Sequence, residues 1–458
     1  MSSRRFVSNA AQLSSHGDRG LRLLALDVIE YALAASDPYH AVRARVTRDG
    51  DALLIGGERV PLPQQGRVLF IGAGKASYPI AKAVEEILGD RLDGGLVICK
   101  YGQSGTLHRI RLIFAAHPIP DEAGARATRE MIVLLANARP GDLVIAGITG
   151  GSSALMGLPL GPVSLADYGA LTKLLLGCGA NIIEINAVRK HIAAVGGGKL
   201  AERIHPGATL VNLTVSDVIG DPLDYITDPT VADTSTLTDA RTTFDRYGLW
   251  DSVPVSVAAF LREGGPAPET PKRLSRDRFH DVLLLGAAAA CEGAARRGRE
   301  LGLQPMILST RFEGESKELG NAFAAIAVEV ARANRPVQPP ALLIGGGETI
   351  VRLNGAVVGM GGPNQEFAAA AAIALDGTRD MVIAGLDSDG TDGPTDIAGA
   401  MVDGSTLERA RSLGIDLREC LRIHDTSAAL SRMEDAIITG ATGTNVNDLK
   451  FAIVGSGR

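Results

Sequence analysis

The chain has little of what several classes of protein require. Aromatic residues make up only 4% of its 458 residues and the net charge is −6, so a basic surface with interleaved aromatics for nucleic acid is not expected. The 4 cysteines lie far apart, and neither C-x-x-C nor H-E-x-x-H occurs, which disfavours a zinc site. No apolar run approaches the roughly 18 residues of a membrane-spanning helix. We therefore expect no nucleic acid and no membrane as partners.

The remaining composition is that of a folded protein rich in turns. Hydrophobic residues make up 45% and charged residues 21%, and there are 55 glycines. A length of 458 residues suggests two or three domains. Residues 1–16 contain no sustained apolar segment of the kind found in signal peptides, and separate cysteines suit a reducing compartment. We expect a cytoplasmic protein.

Short apolar segments alternate with helix-like segments along most of the chain. The strand candidates include residues 68–71, 96–99, 110–115, 142–148, 209–215, 341–344, 381–384 and 451–454. This alternation predicts a doubly wound, Rossmann-like and mostly parallel α/β sheet in the N-terminal part. A charged stretch rich in proline and glycine at 262–275 predicts a boundary between domains 1–262 and 275–458. The second domain also alternates strand and helix, so it is expected to be α/β.

The turn Gly72-Ala-Gly-Lys-Ala-Ser77 joins a predicted strand to a predicted helix. Backbone N–H groups and the helix dipole attract anions at such a turn. An ammonium group at Lys75 suits a phosphate, so Gly72, Gly74 and Lys75 are predicted to bind phosphate. A plain strand–helix connection with a solvated lysine is the alternative.

A dinucleotide site is a second alternative for this turn. Its first two glycines match the G-x-G-x-x-G/A fingerprint, but Ser77 occupies the third position. The next strand ends at Lys100, where a site for NAD has Asp or Glu. A G-x-x-x-x-G-K-[ST] loop does not occur.

A second glycine loop, Gly359-Met-Gly-Gly-Pro-Asn-Gln-Glu366, leads into an alanine-rich segment. Pro363 suits the first position of a helix. Gly361, Gly362 and Asn364 are therefore predicted to lie at another phosphate site. A turn before a core helix is the alternative.

Carboxylates recur in the segment from Asp387 to Asp396. The segment is not an EF-hand, because Asp392 occupies the glycine position of that loop and Ala398 the glutamate position. Mg²⁺ bound through one or two of Asp387, Asp389 and Asp392 together with substrate phosphates is the functional interpretation. Helix capping and turn formation by aspartate are the alternative.

Two further segments carry charged residues in a pattern typical of ligand sites. Arg189 and Lys190 lie on a predicted helix, where one of them could hold a carboxylate and where an exposed basic patch is the alternative. Gly346 lies in Gly345-Gly-Gly-Glu-Thr349, which lets backbone approach a ligand. Glu348 is a candidate base or metal-shell group.

Together these motifs resemble the class II glycerate kinases, which combine a glycerate-kinase N-terminal domain with a C-terminal MOFRL domain. The segments that carry the resemblance follow one another through most of the chain: Gly72-Ala-Gly-Lys-Ala-Ser77, Lys100-Tyr-Gly102, His117-Pro-Ile-Pro-Asp-Glu-Ala-Gly124, Ile148-Thr-Gly-Gly-Ser-Ser-Ala-Leu155, Ile185-Asn-Ala-Val-Arg-Lys-His191, Ser216-Asp-Val-Ile-Gly-Asp-Pro222, Gly345-Gly-Gly-Glu-Thr349, Asp392-Gly-Pro-Thr-Asp396 and Thr442-Gly-Thr-Asn-Val-Asn-Asp448.

The resemblance implies that ATP phosphorylates D-glycerate at its 2-hydroxyl, with Mg²⁺ or another divalent cation, in a cleft between two α/β domains. It implies that Lys75 is the active-site lysine. Asp217 and Glu348 are then candidates to orient or deprotonate the hydroxyl, and Asp217 also to bind the metal. Ser153 joins Arg189 and Lys190 as a predicted substrate contact. The partners are then a hydroxy acid and a nucleotide, and a homodimer stays open.

The chain departs from the family pattern at several positions. Pro363 stands where relatives have a catalytic Arg in G-G-R-N-Q-E, and Asp228 stands where they usually have Gly. Thr149 and Ser152 replace commoner Ser and Gly. A slow kinase, a kinase for a related hydroxy acid and a non-catalytic relative therefore stay open. Some relatives are named hydroxypyruvate reductase, so an NAD(P)H-dependent reductase is the other alternative.

Overall fold

The computed structural model describes residues 5–226, 228–264, 269–275, 278–353 and 359–457. The described residues form two compact units. The N-unit comprises Pro38–Ser216 and Asp221–Leu284, and the C-unit comprises the residues up to Asp37, Asp217–Gly220 and the residues from Leu285 onward. This division differs from the predicted domains at two places, because the residues up to Asp37 group with the C-unit and the later change of unit falls at Leu284. Residues 265–268 of the predicted boundary lie outside the described residues.

The chain begins with two helices of the C-unit, α1 (Ala10–Leu13) and α2 (Arg19–Ala35). The elements of the N-unit follow in this order: α3 (Pro38–Arg45), β1 (Val46–Asp49), β2 (Ala52–Ile55), β3 (Glu58–Pro61), β4 (Val68–Ala73), α4 (Ser77–Leu88), β5 (Gly94–Lys100), β6 (Ile110–Ala115), α5 (Glu122–Ala136), β7 (Leu143–Ile148), α6 (Ser152–Leu155), α7 (Leu165–Gly177), α8 (Ile182–Ile192), β8 (Thr209–Val215), α9 (Leu223–Ile226), α10 (Leu237–Tyr247), α11 (Val255–Glu263) and β9 (Phe279–Leu285). Short 3₁₀ helices lie at Gly89–Arg91, Ala201–Arg203 and Asp228–Thr230.

The main sheet of the N-unit has the strand order β6-β5-β4-β7-β8-β9. Strands β6, β5, β4, β7 and β8 are parallel, which confirms the predicted fold class. The central strands β4 and β7 are buried at every residue, as expected for strands covered on both faces. The strand order reverses between β4 and β7, and ligands of doubly wound sheets bind beyond the carboxyl ends of strands at that point.

The remaining elements belong to the C-unit: α12 (Ala287–Glu300), β10 (Gln304–Phe312), α13 (Ser316–Ala333), β11 (Ala341–Gly347), α14 (Pro363–Ala374), β12 (Met381–Asp387), β13 (Gly399–Asp403), α15 (Thr406–Ser412), α16 (Leu417–Arg422), α17 (Thr426–Arg432), β14 (Ala436–Ile437) and β15 (Asp448–Val454). None of the helices in the described part of the chain is long and apolar enough to cross a membrane.

The sheet of the C-unit is mixed, with the order β10-β11-β15-β12-β13-β14. Because β15 is antiparallel to both β11 and β12, these two strands end at the same edge of the sheet. The register places Asp448 opposite Gly347 on one side and opposite Asp387 on the other. The loop after β11, the acidic segment that begins at Asp387 and the segment that ends at Asp448 therefore meet at one end of the sheet. The α/β character predicted for this unit is confirmed.

A buried ion-pair network explains why α2 belongs to the C-unit. Arg22 is fully buried, and its guanidinium lies 2.6 Å from Asp403 and 2.9 Å from Asp435. A buried cation needs such partners, because removing one of them leaves an uncompensated charge. Helix α2 also packs against α12, where a Cβ on Gly293 would lie 2.4 Å from the Ala35 side chain.

Candidate active site

The predicted phosphate turn at the end of β4 is hydrogen-bonded to the loop at the end of β7. The Lys75 N–H donates to the Gly150 carbonyl at 2.9 Å, and the Ala76 N–H donates to the Thr149 hydroxyl at 3.2 Å. Gly74 has a φ of +136°, and a Cβ there would lie 2.2 Å from the Thr149 hydroxyl oxygen. The glycine thus permits an approach of two loops that no other residue allows.

Lys75 and His117 lie on either side of Gly151. A Cβ on Gly151 would lie 3.6 Å from Cγ of Lys75 and 3.1 Å from Cδ2 of His117. Lys75 is partly buried. His117 was not among the predicted site residues, although its loop follows β6 and was part of the family resemblance. The strand ends of the N-unit therefore bring the side chains of Lys75 and His117 close to the same glycine.

Arg189 and Ser153, two predicted substrate contacts, line one small cavity in the N-unit. The cavity has a volume of about 10 Å³, and Asn186 and Tyr168 also line it. Arg189 is only 8% exposed, yet within the described part of the chain its Nε and Nη2 atoms have no hydrogen-bond partner. The fully buried hydroxyl of Tyr168 has none there either.

This cavity is suited to an acceptor group. Buried donors without acceptors lower stability, and an arginine without an acceptor lowers it more than a neutral donor does. The Nε–Nη2 edge of a guanidinium matches the two oxygens of a carboxylate. At about 10 Å³ the cavity has room for about one water molecule as it stands. A carboxylate would therefore enter only if the lining residues moved apart.

Lys190, the third predicted substrate contact, is surrounded by carboxylates. It is 2% exposed, and its Nζ lies 2.9 Å from Asp233 and 3.7 Å from Asp224. Burial lowers the pKa of Lys190, but the charges of Asp228 and Asp233 outweigh burial and raise the pKa above its usual value. The alternative of an exposed basic patch is wrong, because Arg189, Lys190 and His191 are all buried. Arg189 is the better candidate for a substrate carboxylate.

Asp228 adds an acidic group to the same cavity. Its carboxylate accepts a hydrogen bond from the Gly197 N–H. Complete burial raises the pKa of Asp228 to about 6, against the opposing charge of Lys190. The departure from the family glycine thus places an acid beside Arg189. Thr227, which precedes it, lies outside the described residues.

Three of the predicted metal ligands belong to the C-unit, and each has an oxygen held by a donor. Asp387 ends β12 and Asp389 follows it, whereas Asp217 comes shortly after β8 in the chain. Asp387 accepts the Asp389 N–H at 2.9 Å, and Asp389 accepts the Thr391 N–H at 2.8 Å. Asp217 accepts the Asn445 side-chain amide at 2.8 Å.

These carboxylates do not form a closed metal cage. In the described ranges, no group of three or more His, Cys, Asp or Glu side chains is arranged to hold a metal ion. Mg²⁺ commonly binds through one or two carboxylates and completes its shell with water and substrate phosphates. An open site with one or two of these aspartates is compatible with such binding.

Asp392 caps helix α14. Its Oδ1 accepts the Asn364 N–H at 3.0 Å and its Oδ2 accepts the Gln365 N–H at 2.9 Å. Burial, followed by repulsion from Asp448, raises the pKa of Asp392 to about 6. Both oxygens are engaged, which favours the capping interpretation over a metal ligand at this position.

The same contacts affect the predicted phosphate site at the start of α14. Pro363 begins the helix as predicted, but proline has no N–H, and Asp392 takes the next two N–H groups. A Cβ on Gly362 would lie 2.3 Å from Asp392 Oδ2, and one on Gly361 would lie 2.4 Å from Thr426 Oγ1. Close packing thus explains both glycines, and the alternative of a turn before a core helix is favoured.

The loop after β11 contains the other predicted nucleotide and catalytic residues. Gly346 is buried, and a Cβ there would lie 3.0 Å from the Cys291 sulfur. Glu348 is exposed, and its N–H donates to the Phe312 carbonyl at 2.9 Å. Thr349 donates from its N–H and its hydroxyl to Asp448, each at 3.1 Å. The loop is therefore anchored at both ends, with Glu348 facing outward.

The strand ends of each unit present glycines and charged side chains, an arrangement typical of α/β enzymes that act on small anionic molecules. Two family models match the chain: Domain of unknown function (DUF4147) matches residues 24–262 and the MOFRL family matches residues 341–448. A glycerate 2-kinase of Pyrococcus horikoshii is 41% identical over 96% of this chain and 98% of its own length.

Two further proteins are similar over nearly the whole chain. A putative hydroxypyruvate reductase of Agrobacterium vitis is 37% identical over 96% of this chain and 95% of its own length. The crystal structure of a glycerate kinase (EC 2.7.1.31) from Thermotoga maritima has a TM-score of 0.79 at 38% identity and covers 95% of this chain and 99% of its own. The chain therefore belongs to the class II glycerate kinase family of enzymes, which confirms the resemblance.

Replacing Gly74 tests the contact between the two loops of the N-unit. Gly74→Ala is expected to reduce the free energy of unfolding by about 3 kcal/mol or more, because the methyl group would overlap the Thr149 hydroxyl and carbonyl. Gly102→Ala is the matched control: its φ of +88° is also unfavourable, but no atom lies within 4 Å. It should cost only about 1–2 kcal/mol. Equal losses in urea unfolding would contradict the crowding of Gly74.

The burial of Asp392 predicts a pH dependence of stability. Because its folded-state pKa of about 6 lies above the reference value of 3.8, the folded state binds the additional proton between these values. This contribution is fully present below about pH 4 and is lost as the pH rises through 6.

The stability difference between wild type and Asp392→Asn should therefore fall by about 3 kcal/mol from pH 4 to pH 7. Urea unfolding at both pH values measures this difference. Asp396→Asn, which changes an exposed residue of the same loop, is the control and should show no such trend. Parallel pH profiles for wild type and Asp392→Asn would show that burial does not perturb Asp392.

Proposed function

We propose that the protein is an ATP-dependent kinase that phosphorylates D-glycerate at the 2-hydroxyl, giving 2-phosphoglycerate and ADP. The observation that carries this proposal is the lysine-bearing turn where the strand order of the N-unit reverses. Phosphoryl transfer needs positive charge around the transferring group, and little covalent chemistry from the protein. The glycerate kinase names of similar proteins support the same reaction.

Lys75 would neutralise charge on the transferring phosphoryl group. Its backbone is fixed by the Gly150 carbonyl and by Gln103, whose side-chain amide donates to the Lys75 carbonyl at 2.7 Å. Gly72 and Gly74 keep side chains away from the turn. A fixed backbone lets the ammonium group stabilise developing charge without reorganisation. His117 lies next to this position and is a further candidate contact.

Arg189, with Ser153, would bind the carboxylate of the hydroxy acid. The unpartnered Nε–Nη2 edge of Arg189 supports this role. Asp228 opposes it while ionised, because it places negative charge beside the same cavity. Binding of the carboxylate should then favour protonation of Asp228. Lys190, which also lines this cavity, would act indirectly, because its ammonium group is paired with Asp233 and Asp224.

The C-unit would provide the groups that handle the nucleotide phosphates and the attacking hydroxyl. Glu348, as an exposed carboxylate, and Asp217 are the candidates to orient or deprotonate the hydroxyl. The loop of Gly346 would approach the phosphates. Contacts from Gly361, Gly362 and Asn364 would need donors other than the backbone groups that Asp392 already occupies.

A divalent cation, Mg²⁺ in the simplest case, would be held by Asp217, Asp387 or Asp389. When bound, such an ion neutralises charge on the nucleotide phosphates. The aspartates themselves are oriented by Asn445, by the Asp389 N–H and by Thr391. Their donors keep one oxygen of each carboxylate in a fixed direction.

The reductase alternative has less support from the site. Strand β5 ends at Lys100, and the dinucleotide site of a doubly wound fold usually has an acid there for the ribose. The name of the Agrobacterium vitis relative is the argument for this alternative. Two assays distinguish the kinase from the reductase. One couples ADP release to a colour change, and the other follows NADH oxidation with hydroxypyruvate. ADP release that requires D-glycerate and Mg²⁺ supports the kinase, and NADH oxidation without it contradicts the proposal.

Lys75→Met is expected to lower kcat about 1,000-fold or more, because one charged group at the transferring phosphoryl is lost. The KM for D-glycerate should change much less. Lys82→Met is the matched control, since Lys82 is an exposed lysine in the helix that follows the turn and pairs with Glu86. Steady-state assays of both variants give the comparison. Similar losses in the two variants would contradict a specific role for Lys75.

Arg189→Lys is expected to raise the KM for D-glycerate about 10- to 100-fold, because lysine cannot supply two parallel N–H donors. The KM for ATP should stay within about twofold. Arg203→Lys, at an exposed arginine of the N-unit, is the control and should leave both KM values unchanged. If Arg189→Lys changes the two KM values equally, Arg189 does not contact the hydroxy acid.

A further inference from the structure

A buried lysine lies in the middle of the C-unit sheet. Lys450 is 1% exposed and belongs to β15, the strand between β11 and β12. The register places Gly345 opposite it on β11 and Gly385 opposite it on β12. Directly opposite residues of antiparallel strands project from the same face. A Cβ on Gly345 would lie 2.8 Å from the Phe323 ring and one on Gly385 would lie 2.7 Å from the Phe367 ring, so aromatic rings pack against the sheet on either side of Lys450.

The ammonium group of Lys450 contacts polar groups at the start of α14. It donates to the side-chain carbonyl of Asn364 and lies 3.3 Å from Asp448 Oδ2. It also lies 4.9 Å from the centre of the Phe367 ring, within the range of a cation–π contact. A charge removed from water in this way is stabilised only by such specific partners.

Asn364 and Asp448 extend these contacts to the surrounding loops. The Asn364 amide donates to Asp392 at 3.0 Å and to Asp448 at 2.6 Å. Asp448 also accepts two hydrogen bonds from Thr349, at the end of the Gly345–Thr349 loop. Gln365, next to Asn364, donates to the Thr395 hydroxyl at 3.0 Å. Four segments thus join one network: the loop after β11, the start of α14, the acidic loop and the start of β15.

The balance of charge explains why the network needs its lysine. Asp392 and Asp448 are both buried carboxylates that contact the same asparagine. Like charges in a site removed from water repel strongly unless a cation or several donors are near. Lys450 contacts Asp448 directly and is linked to Asp392 through Asn364, so loss of its charge would leave two acids facing Asn364 without a cation.

We propose that Lys450 is a positioning residue for nucleotide binding: through Asn364 and Asp448 its buried charge fixes the loops of Gly346 and Asp387. This inference rests on the proposed kinase function. Lys450 does not touch the reacting groups itself. It acts on the strand edge where Asp448 lies opposite both Gly347 and Asp387.

The test compares Lys450→Met, which keeps the length of the side chain, with Lys450→Gln, which keeps a donor for Asn364. Lys450→Met is expected to raise the KM for ATP about tenfold or more while the KM for D-glycerate stays within about twofold. Lys450→Gln should give an intermediate value, since a hydrogen bond is kept and the charge is lost. Lys173→Met, at an exposed lysine of the N-unit, is the control.

Measurements should be made well below the unfolding temperature of each variant, so that a loss of folded protein is not read as weak binding. A purely structural role would lower the unfolding temperature and the active fraction, and would leave both KM values unchanged. That result, or equal changes in both KM values, would overturn the proposal. Failure of both variants to fold would also overturn it, because Lys450 would then be required for folding.

Equilibrium binding of a fluorescent ATP analogue separates this proposal from the proposed function. If the wild type releases no ADP with D-glycerate, the kinase proposal fails. The analogue still tests Lys450 in that case. A tenfold weaker binding in Lys450→Met supports the positioning role, and unchanged binding contradicts it.

Discussion

Close contact between loop backbones, made possible by glycine, is the constraint on which both units depend. In the N-unit, Gly74 lets the turn of Lys75 hydrogen-bond to the loop after β7. In the C-unit, Gly362 lets Asp392 reach the first N–H groups of α14. Any side chain at either glycine would overlap an oxygen atom of the neighbouring loop. The loops at the strand ends are thus held by direct contact, which restricts the positions of the charged groups that they carry.

Local patterns predicted most strands of both units, but not β13, β14 or the membership of helix α2. The apolar segments at β4 and β7 are buried on both faces, so their sequences differ clearly from those of the surrounding helices. Helix α2, in contrast, is assigned to the C-unit by Arg22, whose partner Asp403 lies 381 residues further along the chain. No periodicity within the helix contains that information. The place of α2 in the C-unit therefore depends on long-range contacts, the buried ion pair and the packing against α12, that the local sequence does not reveal.

The sequence predicted only part of the candidate site. The roles it left undecided have a common physical origin, because one residue type can serve two functions. Aspartate can cap a helix or bind a metal, and its identity does not tell which role it takes. The structure separates Asp392, whose two oxygens accept backbone N–H groups, from Asp387 and Asp389 at the strand edge. Tyr168 and Lys450 were missed because each lies in a hydrophobic sequence context that predicts core packing. Only the unpartnered hydroxyl and the buried ammonium group distinguish them from ordinary core residues.

The start of α14 offers little positive charge to a phosphate group. Where the family resemblance implies an arginine, this chain has Pro363, which brings neither a cation nor an N–H. Asp392 takes the next two N–H groups and adds a carboxylate whose pKa of about 6 leaves it mainly ionised at neutral pH. The helix dipole at this end is therefore compensated within the protein, and little attraction for a phosphate remains. Under the proposed function, the positive charge for phosphoryl transfer would come mainly from Lys75 and from a divalent cation held by Asp217, Asp387 or Asp389.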